Sequence, residues 1–235
     1  MTAQQTDVPR RTPLSRERVL RAAVALADEG GIETLSMRRL AQELDVVPMA
    51  LYKHVAHKDE LLDGVVDLVV GEIPAPAPGD VEQDWQGAVR RRVLGARHAM
   101  LSHPWAAQVI ESRGAPTPAV MTYLNSVVGM FRAGGFSVDL THHVMHTMGS
   151  RILGFSQELF DDSAEIDPEV RAAGARAMAP AFPHLAEIAL AVAHDDASVV
   201  GSGCDDQAEF EFALDLLLDG FERLRRRAAG ESAPA

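Results

Sequence analysis

Apolar residues recur at three- and four-residue spacing in nearly every segment of this 235-residue chain, and no segment sustains the period-two alternation of a strand. A chain patterned this way has few options: each helix must bury its stripe against other helices, so the expected fold class is all-α. The first helix reads from a Ser15 N-cap, with Leu14 and Val19 placed as a hydrophobic staple. Its stripe is Val19, Ala22, Ala23, Leu26 and Ala27, and Gly30-Gly31 stops it. The second starts at Ser36 with Leu35 and Leu40 as its staple and Met37, Leu40, Ala41 and Leu44 as its stripe. DVV then turns the chain, and Pro48 suits the first turn of a short third helix whose Leu51 and Val55 point inward. A fourth begins near Lys58, with Leu61, Leu62, Val65, Val66 and Val69 on one face.

The run PAPAPGD, residues 74–80, breaks this pattern. Alternating prolines remove backbone donors and fix φ, so the run reads as a linker. The expected organisation is a disordered arm over 1–13, a small domain over 14–73, the linker, a larger helical domain over 81–228 and a disordered tail over 229–235. In the larger domain, helices are expected near 82–101, 104–112, 117–133, 138–160 and 207–227, with one or two weaker ones over 168–193 interrupted at Pro180 and Pro183. Residues 138–160 carry apolar side chains on two faces, and residues 195–206 read as a mobile loop.

Hydrophobic residues make up 47% and charged residues 24%, which is ordinary globular composition. No apolar run approaches the roughly 18 residues that span a bilayer. The polar opening MTAQQTDVPRRTPLS lacks an apolar signal core, so no membrane partner and a cytoplasmic location are expected. The single Cys204 excludes an intrachain disulfide and a multi-cysteine metal site. A net charge of -12 argues against a polyanionic partner, but the charge is uneven. Residues 1–58 hold nine Lys/Arg against seven Asp/Glu, while the remainder holds thirteen against twenty-seven. A basic first quarter on an acidic body suggests two jobs.

Two short helices joined by a tight turn behind a supporting helix form a helix-turn-helix, whose second helix enters the major groove. Tyr52, Lys53 and His54 all donate hydrogen bonds, as phosphate anchoring requires. Arg38 opens the second helix and suits a phosphate or a guanine edge. Pro48, Met49 and Ala50 lead the third helix toward bases, and Lys58 is a further phosphate candidate. The same geometry also occurs in proteins that never touch DNA. A helical small-molecule-binding or interaction protein is therefore the alternative.

The stretch LSRERVLRAAVALADEGGIETLSMRRLAQELDVVPMALYKHVAHKDELLDGVVD, about residues 14–67, resembles the N-terminal domain of TetR-family transcriptional regulators. The features that match are the amphipathic first helix, the GG-I turn, R-x-L-A-x-x-L, and L-Y-K-H-V followed by K-D-E-L-L. The resemblance implies a homodimer with a divergent ligand-binding body, most often a repressor released from a palindromic operator by a small, apolar or amphipathic effector. It carries operator contact onto Arg38, Tyr52, Lys53, His54 and Lys58, with Pro48, Met49 and Ala50 facing bases. Two positions depart from the family pattern: Asp45 stands where glycine is usual in the turn, and Val47 where a Ser/Thr cap is common. Aspartate tolerates the left-handed conformation, and the missing cap costs about 1 kcal/mol.

In the body, the resemblance suggests an effector pocket among the helices at 82–101, 117–133 and 138–160. The soft apolar candidates are Trp85, Met100, Trp105, Met121, Met130, Met145, Met148 and Phe155, with His98, Asn125, His146 and Arg151 as polar ones. Helices 138–160 and 207–227 have more apolar surface than one protomer covers, so Leu153, Phe160, Phe210, Leu214, Leu217, Phe221 and Leu224 are the expected dimer contacts. His142 and His146 share a helix face, but zinc needs about three or four protein ligands, so no metal and no cofactor is expected. No glycine-rich phosphate loop, G-x-S-x-G elbow or H-E-x-x-H occurs, and no enzymatic activity is expected.

Overall fold

A computed structural model of the chain describes residues 13–152, 168–191 and 206–230. The regular structure of these residues is helical: α1 (Arg16–Gly30), a 3₁₀ turn (Ile32–Thr34), α2 (Met37–Glu43), α3 (Pro48–Leu51), α4 (Lys58–Gly71), α5 (Asp80–Gln83), α6 (Trp85–Ser102), α7 (Trp105–Ser112), α8 (Pro118–Ala133), α9 (Val138–Ile152), α10 (Pro168–Met178), α11 (Pro183–Ala191) and α12 (Asp206–Ala228). The chain divides into two compact units, Met1–Phe131 and Arg132–Ala235.

Local chemistry sets the start of the first unit. Ser15 Oγ accepts from the Arg18 N–H and Ser36 Oγ from the Arg39 N–H, so both serines cap as their position demands. Asp45 adopts φ 51°, the left-handed conformation that the tight turn needs. Val47 makes no side-chain cap, and Pro48 opens α3. A cap that the pattern did not announce lies at His57. Its Nδ1 accepts from the Glu60 N–H at 3.1 Å, while Glu60 reaches back to the Ala56 N–H at 2.6 Å.

The third helix is shorter than the pattern predicts. It ends at Leu51, and Tyr52–His54 follow in a turn. The His54 and Val55 N–H groups both donate to the Leu51 carbonyl, at 2.8 and 2.9 Å, so the i+4 ladder closes there. The proline run is shorter too, since α5 begins at Asp80 and Asp84 caps α6 by accepting from the Gly87 N–H.

The core of the first unit joins Val19, Leu40, Leu51, Leu61, Val65 and Val69 to Ala96, Ala99, Trp105, Ala106 and Val109. It does not stop at the proline run, because α6 and α7 bring their small residues onto the same apolar cluster. Gly95 lies where an added Cβ would be 3.3 Å from Pro74 Cδ and 3.5 Å from Ile73 Cγ2, so the chain after α4 runs close along α6.

In the second unit, Gly135 (φ 87°) reverses the chain before α9. α9 buries Val144 and Met148, and α12 buries Phe210, Leu214, Leu218 and Phe221. α10 and α11 pack on each other. The arm over 1–12, Leu153, Phe155, Phe160, Cys204 and residues 231–235 lie outside the described residues, as does the Arg151 side chain. Among the described residues, no helix is long and apolar enough to cross a membrane.

Candidate nucleic-acid interface

Leu51 and Val55 are buried at 0% and 1% exposure, which fixes α3 and the turn after it on the core. The residues between and around them point outward. Arg38, Pro48, Tyr52, Lys53 and Lys58 are exposed, Met49 is 71% exposed, and Ala50 and His54 are half-buried. Among the described residues, Arg38, Lys53 and Lys58 have no ion-pair partner, although acidic side chains are abundant in the chain. Three exposed cations without an ion-pair partner among the described residues, a phenol and a thioether thus fall within residues 38–58. This is an electrostatic and hydrogen-bonding footprint for a phosphate backbone, with apolar groups placed for base edges.

α4 begins directly behind this face and is tied down along its length. Asp59, Asp63 and Asp67 recur every four residues and so share a helix side. Arg113, just past α7, holds the first two, with Nη1 3.2 Å from Asp59 Oδ1 and Nε 2.7 Å from Asp63 Oδ1. Burial pulls this guanidinium down, but the two carboxylates outweigh it and leave its pKa above the ordinary value. Asp67 Oδ1 accepts from the Ala119 N–H in the first turn of α8 at 3.0 Å. Past the end of α4, Arg92 Nη1 on α6 donates to the Ile73 carbonyl at 2.9 Å and to the Pro74 carbonyl. Asp28 on α1 accepts from Trp105 Nε1 at 2.7 Å and lies 2.8 Å from His103 Nδ1, whose Nε2 is 3.7 Å from Glu72. Helices α6, α7 and α8 therefore grip both α1 and α4.

Residues 19–65 match the family described as bacterial regulatory proteins, tetR family, and residues 76–225 match the tetracyclin repressor-like C-terminal domain. The chain belongs to the TetR family. It is a DNA-binding transcriptional regulator built on that family's helical plan. It is 31% identical over 228 residues to the HTH-type transcriptional repressor DrrR1 of Streptomyces coeruleorubidus, covering 94% of this chain and 82% of that protein. The crystal structure of apo ActR from Streptomyces coelicolor superposes with a TM-score of 0.70 at 27% identity, over 92% of this chain and 99% of ActR. ActR in complex with actinorhodin gives 0.68 at 26% identity, over 91% and 99%. BioQ with its double-stranded DNA operator gives 0.58 at 25% identity, over 89% and 98%.

The body candidates of this TetR-family chain are dispersed. Trp105 is buried in the core of the first unit, with its indole committed to Asp28. Met100 packs against that core, and Met130 is buried. His98, Met121 and Asn125 are exposed. Trp85 is half-buried, with its ring 5.7 Å from that of Phe131. In the second unit Met148 is buried, Met145 half-buried and His146 exposed, its ring 4.5 Å from that of His142. Among the described residues, no group of three or more His, Cys, Asp or Glu side chains is placed to hold a metal. Of the α12 residues expected at the dimer contact, Phe210, Leu214 and Phe221 are buried within the protomer and Leu217 is half-buried, whereas Leu224 is exposed. Phe212 and Leu216 are exposed beside it. Their stripe is offset from the buried one, and a helix with two apolar faces leaves open in sequence which face is which.

Three features of the site do not figure among the sequence candidates: the Arg113–Asp59–Asp63 group, the Asp28–His103–Trp105 group, and Arg92. The four-residue spacing of Asp59, Asp63 and Asp67 was a usable signal for the first. Nothing local marks the partners of the other two.

Proposed function

We propose that the chain acts as a homodimeric repressor that holds a palindromic operator and releases it when a small molecule binds the body. The observation that carries the DNA-binding part is the exposed set Arg38, Lys53 and Lys58, without an ion-pair partner among the described residues, together with Tyr52 in the turn that the buried Leu51 and Val55 hold. Pro48, Met49 and Ala50 face bases, and His54 supports the backbone contacts. Two copies related by a two-fold axis set their α3 elements about 34–36 Å apart to enter successive major grooves. The dimer face we assign on α12 is the open stripe Phe212, Leu216 and Leu224. Residues 14–73 form the reading head, 74–80 the linker and 81–228 the effector and dimerisation part. The reading head is gripped through α4, so a ligand that shifts α6–α8 moves the α4 bar and changes the spacing of the two heads. A coupling of about 1–3 kcal/mol suffices for useful regulation. The relatives that are repressors and ActR bound to actinorhodin support an effector-released repressor that works in the cytoplasm and catalyses no reaction.

The test is fluorescence anisotropy of the full-length protein on duplexes from DNA flanking its own gene, across a salt series. The expected result is tight binding to one duplex, with affinity falling steeply as salt rises. No binding to any duplex at low salt overturns the proposal.

A further inference from the structure

Two buried side-chain polar atoms lack a hydrogen-bond partner among the described residues: Arg92 Nε and Thr117 Oγ1. They lie on α6 and at the threshold of α8, two helices that meet. Trp85, the first residue of α6, contacts Phe131 near the end of α8, while Arg92 in mid-helix contacts Tyr123 near its start. The two helices therefore run antiparallel. Trp85 and Arg92 are seven residues apart, so they project from the same side of α6.

Arg92 is 7% exposed, and its guanidinium carbon sits 4.6 Å from the Tyr123 ring centroid. No carboxylate pairs with it among the described residues; its hydrogen bonds go to the Ile73 and Pro74 carbonyls. Burial lowers its pKa from the ordinary value, opposed by Tyr123, and burial raises the Tyr123 phenol to about 12. The phenol is thus neutral, and the site carries one positive charge with no counter-ion among the described residues. A buried charge without a counter-ion is costly unless something arrives to pair with it. Nη1 is committed to the two carbonyls and the ring covers one face, so the edge that carries the unpartnered Nε is the one open to a bidentate oxyanion.

We propose that Arg92 is the anchor for an anionic aromatic effector, a carboxylate or ionised phenol whose oxygens pair with the guanidinium beside Tyr123. The inference rests on the reading of the body as an effector domain and names the chemistry that domain recognises. It also supplies the link to DNA. The same guanidinium grips the two carbonyls just past α4, so an oxyanion drawing Arg92 toward itself competes with that grip and loosens the end of the bar.

Calorimetry on the full-length protein tests this with three matched pairs at equal ionic strength: benzoate, 2-naphthoate and anthraquinone-2-carboxylate, each against its neutral carboxamide. At least one carboxylate should bind tenfold or more tighter than its amide. Arg92→Gln should abolish that preference while leaving the amide affinity in place, and Arg92→Lys should retain part of it. The preferred carboxylate should weaken operator affinity at least fivefold in the wild-type chain and not in Arg92→Gln. No preference in any pair, absence of binding included, overturns the proposal, as does a preference that survives in Arg92→Gln. Selective binding that left operator affinity unchanged would overturn the link to α4. If Arg92→Gln does not fold, ¹⁵N-arginine-labelled wild-type protein gives the answer. The carboxylate should shift a slowly exchanging Nε–H resonance that the amide leaves in place, and an unmoved resonance overturns the assignment. Calorimetry uses no DNA, so a failure of anion selectivity is read separately from a failure of operator binding.

Discussion

Arg38, Lys53 and Lys58 stand in water on the helix-turn-helix, whereas Arg92 is buried between α6 and α8. All four lack a carboxylate among the described residues. The same missing partner has different physical meanings in the two places. An exposed cation keeps its hydration, so leaving it unpaired costs little and keeps it available to phosphate. A buried one has given up its water and depends on the groups packed around it. The contrast separates residues that wait for a partner without straining the fold from a residue that holds the fold while it waits.

The largest expected effect concerns the twin copy that the exposed cations need. Leu216→Glu places a charge in the open stripe of α12. It should leave a helical monomer by analytical ultracentrifugation and cut operator affinity about 100-fold or more, since two linked half-sites become one. A variant that stays dimeric removes Leu216 from the interface. Next in size is the difference between a buried and an exposed cation. Arg92→Ala should lower unfolding free energy by about 2–3 kcal/mol in urea, because two carbonyls are left without their donor and a buried side chain leaves a void. Lys53→Ala should stay within about 0.5 kcal/mol of wild type in the same measurement. Equal destabilisation would break the distinction. On operator DNA the order reverses. Lys53→Ala should weaken binding by about 1–2 kcal/mol, and the slope of log affinity against log salt should fall by about 1 for each phosphate that is no longer neutralised.

The smallest effect comes from arginines that do have a carboxylate. Glu222 Oε2 is 2.8 Å from Arg225 Nε, and its Oε1 is 2.6 Å from Arg226 Nε. The hydrogen bond from Arg225, opposed by burial and reinforced by Arg226, lowers the Glu222 pKa from 4.5 to about 2. A depressed carboxylate pKa means stability that is present above the unfolded value and lost as pH falls through the folded one. Glu222→Gln should therefore be less stable than wild type by about 1 kcal/mol at neutral pH, allowing for solvent screening. That gap should close between pH 4.5 and about 2. A gap independent of pH would mean that the ion pair contributes nothing.

Much of the reading head was legible in the sequence. The Ser15 and Ser36 caps, Pro48 at the start of α3, and the outward-facing Arg38, Tyr52, Lys53 and Lys58 follow from neighbours a few residues away, while the left-handed Asp45 and the uncapped Val47 were legible through the family resemblance. The end of α3 did not, because it turns on two N–H groups converging on the Leu51 carbonyl. The body was legible only in outline. Helix positions near 104–112, 117–133 and 207–227 agree with α7, α8 and α12 to within a residue or two. The methionine and tryptophan set, however, holds both core residues such as Trp105 and exposed ones such as Met121.

By itself the sequence determined where most of the helices lie, which stripes seek burial, and which cations of the helix-turn-helix remain outside, because caps, turns and periodicity act within one or two helical turns. Only the tertiary structure decided that Asp28 serves Trp105, that Arg113 spans Asp59 and Asp63, that α12 buries Phe210 and leaves Phe212 open, and that Arg92 is enclosed without a carboxylate among the described residues. Those outcomes depend on which helices meet across tens of residues, and a helical period alone does not say what will lie on the other side of the contact.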